Sequence, residues 1–174
     1  MKRPTVYVID QSERNIDGLK QVLKAHPEIR FVSLTAVDLG GNDTDEKIPT
    51  PHFLDHIHEY LEGGVQTDGS SVVLPGIATL NDGKVDLVAD FEANWIVDYN
   101  PELLDLETDL PVGTLRIPSF LRHRERFVDS RSVLKRTVES VQRRVIRLLE
   151  ENPAMADDMG FKGRRPRAIK LFAA

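Results

Sequence analysis

The sequence contains no cysteine among its 174 residues. Disulfide bonds and thiolate-bound zinc are therefore excluded, and any metal ion would need His, Asp or Glu ligands. Aromatic residues make up only 6% of the chain, and no apolar run approaches the length of a membrane span. The first residues lead into a strand-like segment without the apolar core of a signal peptide. We therefore expect a cytoplasmic protein with no membrane partner.

The sequence also lacks a glycine-rich phosphate-binding loop, and so it predicts no ATP site within this chain. The formal net charge is -5, which argues against nucleic acid as the main partner. Positive charges concentrate between residues 122 and 170, but no aromatic side chains interleave with those of the predicted long helix. We interpret these bases as a solvated or subunit-facing surface.

What the chain does contain is typical of a soluble globular protein, with 40% hydrophobic and 29% charged residues. Its length suffices for one full domain, or for one domain and an incomplete piece of a second. Within residues 1–62, segments with strand-like apolar runs alternate with segments whose apolar residues recur every three or four positions, as in a helix. The predicted elements there are a strand at 5–9, a helix around 16–23, a hairpin at 29–48 that turns at Gly40-Gly41, and a helix at 51–62.

The second half of the chain shows short strand-like runs followed by one long amphipathic helix. The predicted elements are strands at 72–74, 85–91, 95–97 and 114–117, an acidic surface loop at 99–111, a helix from 129 to about 150, a long connection at 152–167, and a last strand at 168–172. Regular alternation of strands and helices is absent after the first fifty residues. The sequence therefore predicts a mixed α+β domain, with a small sheet wrapped around the helix at 51–62.

One loop in this framework combines an acid, a glycine and two hydroxyls: Asp68-Gly69-Ser70-Ser71. Asp68 can hold a cation or accept a proton, and Gly69 allows a positive φ or a close approach of a ligand. Ser70 and Ser71 add short hydrogen-bonding groups. Asp-Gly is also an ordinary turn, so the loop gains meaning only from the elements around it.

The order of these motifs resembles the N-terminal, β-grasp domain of glutamine synthetases over residues 13–150. The residues that carry the resemblance are Asp38, Gly40-Gly41, Ile48-Pro49, the helix at 51–62, Asp68-Gly69-Ser70-Ser71, Asp90, Asp98 and Asp129-Ser130-Arg131-Ser132. The resemblance implies four segments: an N-terminal strand and helix at 1–28, a β-grasp-like domain at 29–128, a long helix at 129–151, and at 152–174 a linker with the first strand of a catalytic domain.

The resemblance implies a ligase that makes glutamine from glutamate, ammonia and ATP. Asp68 would bind ammonium and take its proton, while Ser70 and Ser71 would contact substrate and Gly69 would set the loop geometry. ATP and Mg²⁺ or Mn²⁺ are implied for the full-length enzyme and not for this chain, which we expect to be inactive alone. The implied partners are the catalytic domains of the same chain and of a neighbouring subunit in a homo-oligomeric ring.

Two alternative functions remain open. One follows from a departure from the glutamine synthetase pattern, and the other from a partial match to a different class of protein. Many members of the family carry Ser-Asp-Met before the next strand, where this sequence has Gly83-Lys84-Val85 with Asp82 as the nearest acid. A relative that transfers the γ-glutamyl group to another amine is therefore an open alternative. In a different class, the strand-like segment ending at Asp10 resembles the start of a receiver domain, which leaves a signalling or stand-alone binding module open.

The predicted helix at 51–62 also carries His52, His56 and His58 on its polar face. The pair His52 and His56 has the one-turn spacing of metal ligands. These histidines occupy the polar face of the helix, and a solvated face without a metal is our default interpretation. The sequence leaves a metal at this cluster open, and we predict none as part of the site.

Overall fold

The computed structural model describes residues 5–68 and 84–164. The chain forms two compact units, residues 1–130 and residues 131–174. The first unit confirms the predicted mixed α+β class. Its elements are a 3₁₀ turn (Gln11–Glu13), α1 (Ile16–Ala25), β1 (Ile29–Val37), β2 (Asp43–Pro49), α2 (Thr50–Asp55), a π-helical turn (Glu59–Gly63), β3 (Val65–Asp68), β4 (Lys84–Ala89), β5 (Ile96–Leu104), β6 (Pro111–His123) and β7 (Arg126–Phe127).

The described strands form one curled, mixed sheet in the order β2-β1-β6-β4-β3, with β5 and β7 also pairing with β6. Strand β6 is central because its 13 residues are long enough to serve several partners. Its first half runs parallel to β1 and antiparallel to β5, and its second half runs antiparallel to β4. The sheet is therefore mixed: the hairpin of β1 and β2 is antiparallel, and the later strand β6 runs parallel to β1.

The core of the first unit lies on one face of this sheet. Alternate residues of β6 are buried from Gly113 to Leu121, as expected of a strand with one solvated face. Helix α1 begins where the side chain of Asn15 accepts a hydrogen bond from the Gly18 N–H at 3.0 Å. Helix α2 places Phe53 in the core with no exposed surface. Side chains from both helices and from the sheet thus share one hydrophobic cluster.

The second unit contains most of α3 (Ser130–Glu151) and α4 (Pro153–Asp158). The prediction of a long helix to about residue 150 is confirmed. The prediction that residues 152–167 lack regular structure is wrong at Pro153–Asp158, where proline stands in the first turn of a short helix. No helix in the described part of the chain is long and apolar enough to cross a membrane.

Two further predictions need correction. The segment Thr5–Ile9 forms no strand, and only Val8 makes a single bridge to Ile96. Residues 99–111 are not simply a surface loop, because β5 continues to Leu104 before a short turn. A register shift between Asn100 and Leu104 accommodates Pro101 there. The predicted strands at 72–74 and 168–172 lie outside the described residues.

Candidate functional site

Asp68 is the last residue of β3, which is the outermost strand among the described residues. Four residues of β3 pair with β4, and the final pair is Asp68 with Lys84. The preceding residue, Thr67, is buried, with 6% of its surface exposed. The other predicted site residues, Gly69, Ser70 and Ser71, lie outside the described residues, as does Asp82. The described part of the site is therefore the strand that leads to the loop.

A π-helical turn and a glycine with unusual backbone geometry introduce that strand. Residues Glu59–Gly63 form the π-helical turn, and Gly64 follows with φ 92° and ψ 169°. A Cβ atom at Gly64 would lie 2.9 Å from the carbonyl oxygen of Leu87 on β4. This conformation is essentially restricted to glycine, and the close approach leaves no room for a side chain. The start of β3 is therefore fixed tightly against β4.

Arg122 on β6 holds the same point from the other side of β4. Its Nη2 atom donates to the carbonyl oxygen of Gly63 at 2.6 Å and to Asp86 Oδ2 at 3.2 Å. Asp86 is the β4 residue paired with Arg122, and on its other side it pairs with Gln66 of β3. The guanidinium group thus links β6 to the beginning of β3 across the intervening strand.

The sequence alone did not single out Arg122, which it grouped with the other bases between residues 122 and 170. No short motif marks it, because its partners at residues 63 and 86 are distant in sequence. Only the strand pairing brings the three together. An available signal was the alternation of Leu115, Ile117 and Leu121, which extends the predicted strand at 114–117 and places Arg122 on the opposite face, where an arginine can reach across neighbouring strands.

The aspartates that carry the family resemblance before and after this loop hold turns. Asp38 is buried and accepts hydrogen bonds from the backbone N–H of Asn42 at 2.9 Å and from its side-chain amide at 3.0 Å. Asp129 is fully buried and accepts from the Leu121 N–H at 3.0 Å. Asp90 accepts from the Glu92 N–H at 3.0 Å. These carboxylates stabilise connections between elements of the first unit.

Two further acids lie in different surroundings. Asp98 pairs with Arg116 of β6 at 3.0 Å on the solvated surface. Asp10 accepts hydrogen bonds from the side chain and backbone of Ser12, which lower the pKa of its carboxyl group. Asp10 thereby caps the 3₁₀ turn at Gln11–Glu13. In the structure, then, the acid that suggested a receiver domain forms the local contact of a capping residue.

The histidines form a surface cluster with aromatic contacts. His52 Nε2 lies 2.9 Å from the hydroxyl of Tyr60, and the rings of His52 and His56 are 4.7 Å apart. His58 Nδ1 lies 3.9 Å from a carboxylate oxygen of Glu62. Within residues 5–68 and 84–164, no group of three or more His, Asp or Glu side chains is arranged to hold a metal ion.

Comparison of the sequence with protein-family models and with curated proteins gives no match. The function is therefore inferred from the residues and geometry of the chain itself.

Proposed function

We propose that this chain forms the N-terminal domain of a glutamine synthetase-like, ATP-dependent ligase, in which Asp68 binds ammonium and accepts its proton. One observation carries the proposal. The outermost of the described strands ends at the aspartate of an Asp-Gly-Ser-Ser sequence, within a curled mixed sheet. Loops that follow rigid strands are where binding groups concentrate. The turns held by Asp38 and Asp129 supply the neighbouring motifs in the same order.

The chemistry requires an acid at such a position. Ammonium has no free lone pair, so it must lose a proton before its nitrogen can attack the carbonyl carbon of γ-glutamyl phosphate. A carboxylate attracts the cation and then accepts that proton, and phosphate leaves as the new C–N bond forms. In this proposal Asp68 is the carboxylate, Ser70 and Ser71 contact substrate, and Gly69 allows the backbone to turn beside it.

The remaining parts of such an enzyme lie outside this domain. A catalytic domain would bind ATP and Mg²⁺ or Mn²⁺, and the Asp68 loop would complete the active site of a neighbouring subunit in a ring. The coding sequence beyond Ala174 provides a direct check. A Glu-x-Glu pair within a few residues supports the proposal, whereas its absence contradicts this family assignment.

The decisive experiment replaces Asp68 with asparagine in the ligase that contains this domain. Loss of the proton acceptor should lower the ammonium-dependent rate by about a hundredfold, because general base catalysis contributes factors of this order. Asp55→Asn is a matched control, since Asp55 is an exposed aspartate at the end of α2. An unchanged rate in Asp68→Asn, with glutamine formation measured directly, would remove Asp68 from this role.

A further inference from the structure

We infer that Arg122 is a positioning residue for Asp68, acting through the clamp that it forms with Gly63 and Asp86. This inference rests on the proposed function, because it assigns Arg122 a role in placing the acid that receives the proton. Its structural basis is independent of the reaction. Arg122 Nη2 lies within hydrogen-bonding distance of both the Gly63 carbonyl oxygen, at 2.6 Å, and Asp86 Oδ2, at 3.2 Å.

Among the described residues, the strand that the clamp holds pairs with one neighbour, β4. Strand β3 comprises four residues, Val65–Asp68, and stands last in the sheet order. Its described ladder consists of four residue pairs with β4. Edge strands of this length are only weakly fixed by their own hydrogen bonds. A contact made just before the first paired residue therefore has a large influence on where the last residue lies.

The clamp holds the backbone at Gly63, directly before β3, so a displacement there would move the strand that follows. Gly63 ends the π-helical turn, and Gly64, with φ 92°, begins the path into β3. Because Gly64 lies against the Leu87 carbonyl oxygen, the strand can move there only by separating from β4. Arg122 prevents that separation by joining the Gly63 carbonyl oxygen to Asp86, which belongs to β4 itself. Losing the clamp should therefore loosen β3 along its length.

The arrangement suits positioning better than overall stability. The side chains of Arg122 and Asp86 are 31% and 34% exposed, so water weakens their ion pair. The pair lies on the solvated side of the sheet, away from the hydrophobic cluster that holds the unit together. The same strand offers a matched control. Arg116 also pairs with an aspartate of an adjacent strand, Asp98, at 3.0 Å, but that strand is β5 rather than β4.

The first measurement is amide hydrogen exchange on the 174-residue chain. Arg122→Gln should accelerate exchange of the protected β3 amides by roughly tenfold, in line with the loss of one hydrogen bond to a charged group. Arg116→Gln should leave β3 unchanged, and Arg122→Lys should restore part of the protection. Equal exchange of β3 amides in the wild type and in Arg122→Gln would overturn the clamp.

The second measurement is steady-state kinetics in the ligase that contains this domain. Arg122→Gln should raise the KM for ammonium by roughly tenfold while leaving the KM for ATP unchanged, because the displaced acid meets only ammonium. A general loss of fold would instead lower the apparent kcat by reducing the amount of active enzyme, and it would leave both KM values unchanged. If Asp68→Asn loses activity but Arg122→Gln keeps the wild-type KM for ammonium, the positioning role is overturned and the proposed function stands. If Asp68→Asn keeps the wild-type ammonium-dependent rate, the proposed function and the positioning role are both overturned.

Discussion

Two arginine–aspartate pairs bind segments of the same sheet, and they differ in the environment of the carboxylate. Arg30 donates to Asp105, whose side chain is 2% exposed. Arg122 donates to Asp86, whose side chain is 34% exposed. The first pair orders the turn between β5 and β6, and the second holds the start of β3. The same kind of ion pair thus forms a buried anchor at Asp105, which holds a turn, and a hydrated clamp at Asp86, which holds a strand.

The buried anchor shows how a carboxylate is committed to structure. Burial raises the pKa of Asp105, but hydrogen bonds from Arg30, from the Thr108 side chain and from the backbone N–H groups of Thr108 and Glu107 outweigh it, and the pKa of the group is lowered. Every one of these donors lies within the turn or directly beside it. The clamp at Asp86 is half-buried, so breaking it costs less and affects mainly the strand that it holds.

The largest expected loss of stability comes from a substitution at the start of β3 that leaves both ion pairs in place. Gly64→Ala should lower the free energy of unfolding by about 3 kcal/mol, because φ near 92° is strained for alanine and the new Cβ would contact the Leu87 carbonyl oxygen. Urea denaturation followed by circular dichroism measures this loss. Gly63→Ala is the control, since a Cβ there meets no atom within 4 Å. Equal stability of Gly64→Ala and Gly63→Ala would contradict the described backbone.

A smaller effect is expected at the buried anchor. Asp105→Asn should lower the free energy of unfolding by about 2 kcal/mol, because the amide replaces an ionised acceptor and its NH₂ group faces the donors of Arg30 and Thr108. Asp98→Asn removes the acid of the exposed Arg116 pair and should cost less than about 1 kcal/mol. Chemical denaturation of the two variants under the same conditions makes the comparison. A larger loss in Asp98→Asn than in Asp105→Asn would reverse our ranking.

Local sequence signals predicted the elements that depend on local chemistry. The Gly40-Gly41 turn predicted the hairpin of β1 and β2, and the apolar spacing after residue 130 predicted α3. The extent of β5 was not predictable in this way, because Pro101 and the acids around it are typical of a loop. In the structure the register shift between Asn100 and Leu104 absorbs the proline, and Asp105 then turns the chain. Tertiary pairing thus overrode a local signal.

The same distinction between local sequence signals and tertiary pairing applies to the candidate site. The sequence singled out Asp68 because an acid, a glycine and two serines follow one another, and the structure describes this residue at the end of β3. Arg122 escaped notice because its contacts with Gly63 and Asp86 depend on the register of three strands. Short motifs reveal chemical groups that are adjacent in sequence, whereas the groups that position them are assembled by the fold.

The last prediction uses pH to separate the two carboxylates. Because the folded-state pKa of Asp105 is lowered from its ordinary value of 3.8, its contribution to stability is fully present above that value and is lost as the pH falls through the lower folded-state pKa. The difference in unfolding free energy between wild type and Asp105→Asn should therefore narrow as the pH falls from 7 to 3. For Asp86→Asn, at the hydrated clamp, the difference in unfolding free energy from wild type should be smaller than for Asp105→Asn. A difference for Asp105→Asn that stays constant down to pH 3 would mean that the buried carboxylate gains nothing from its donors.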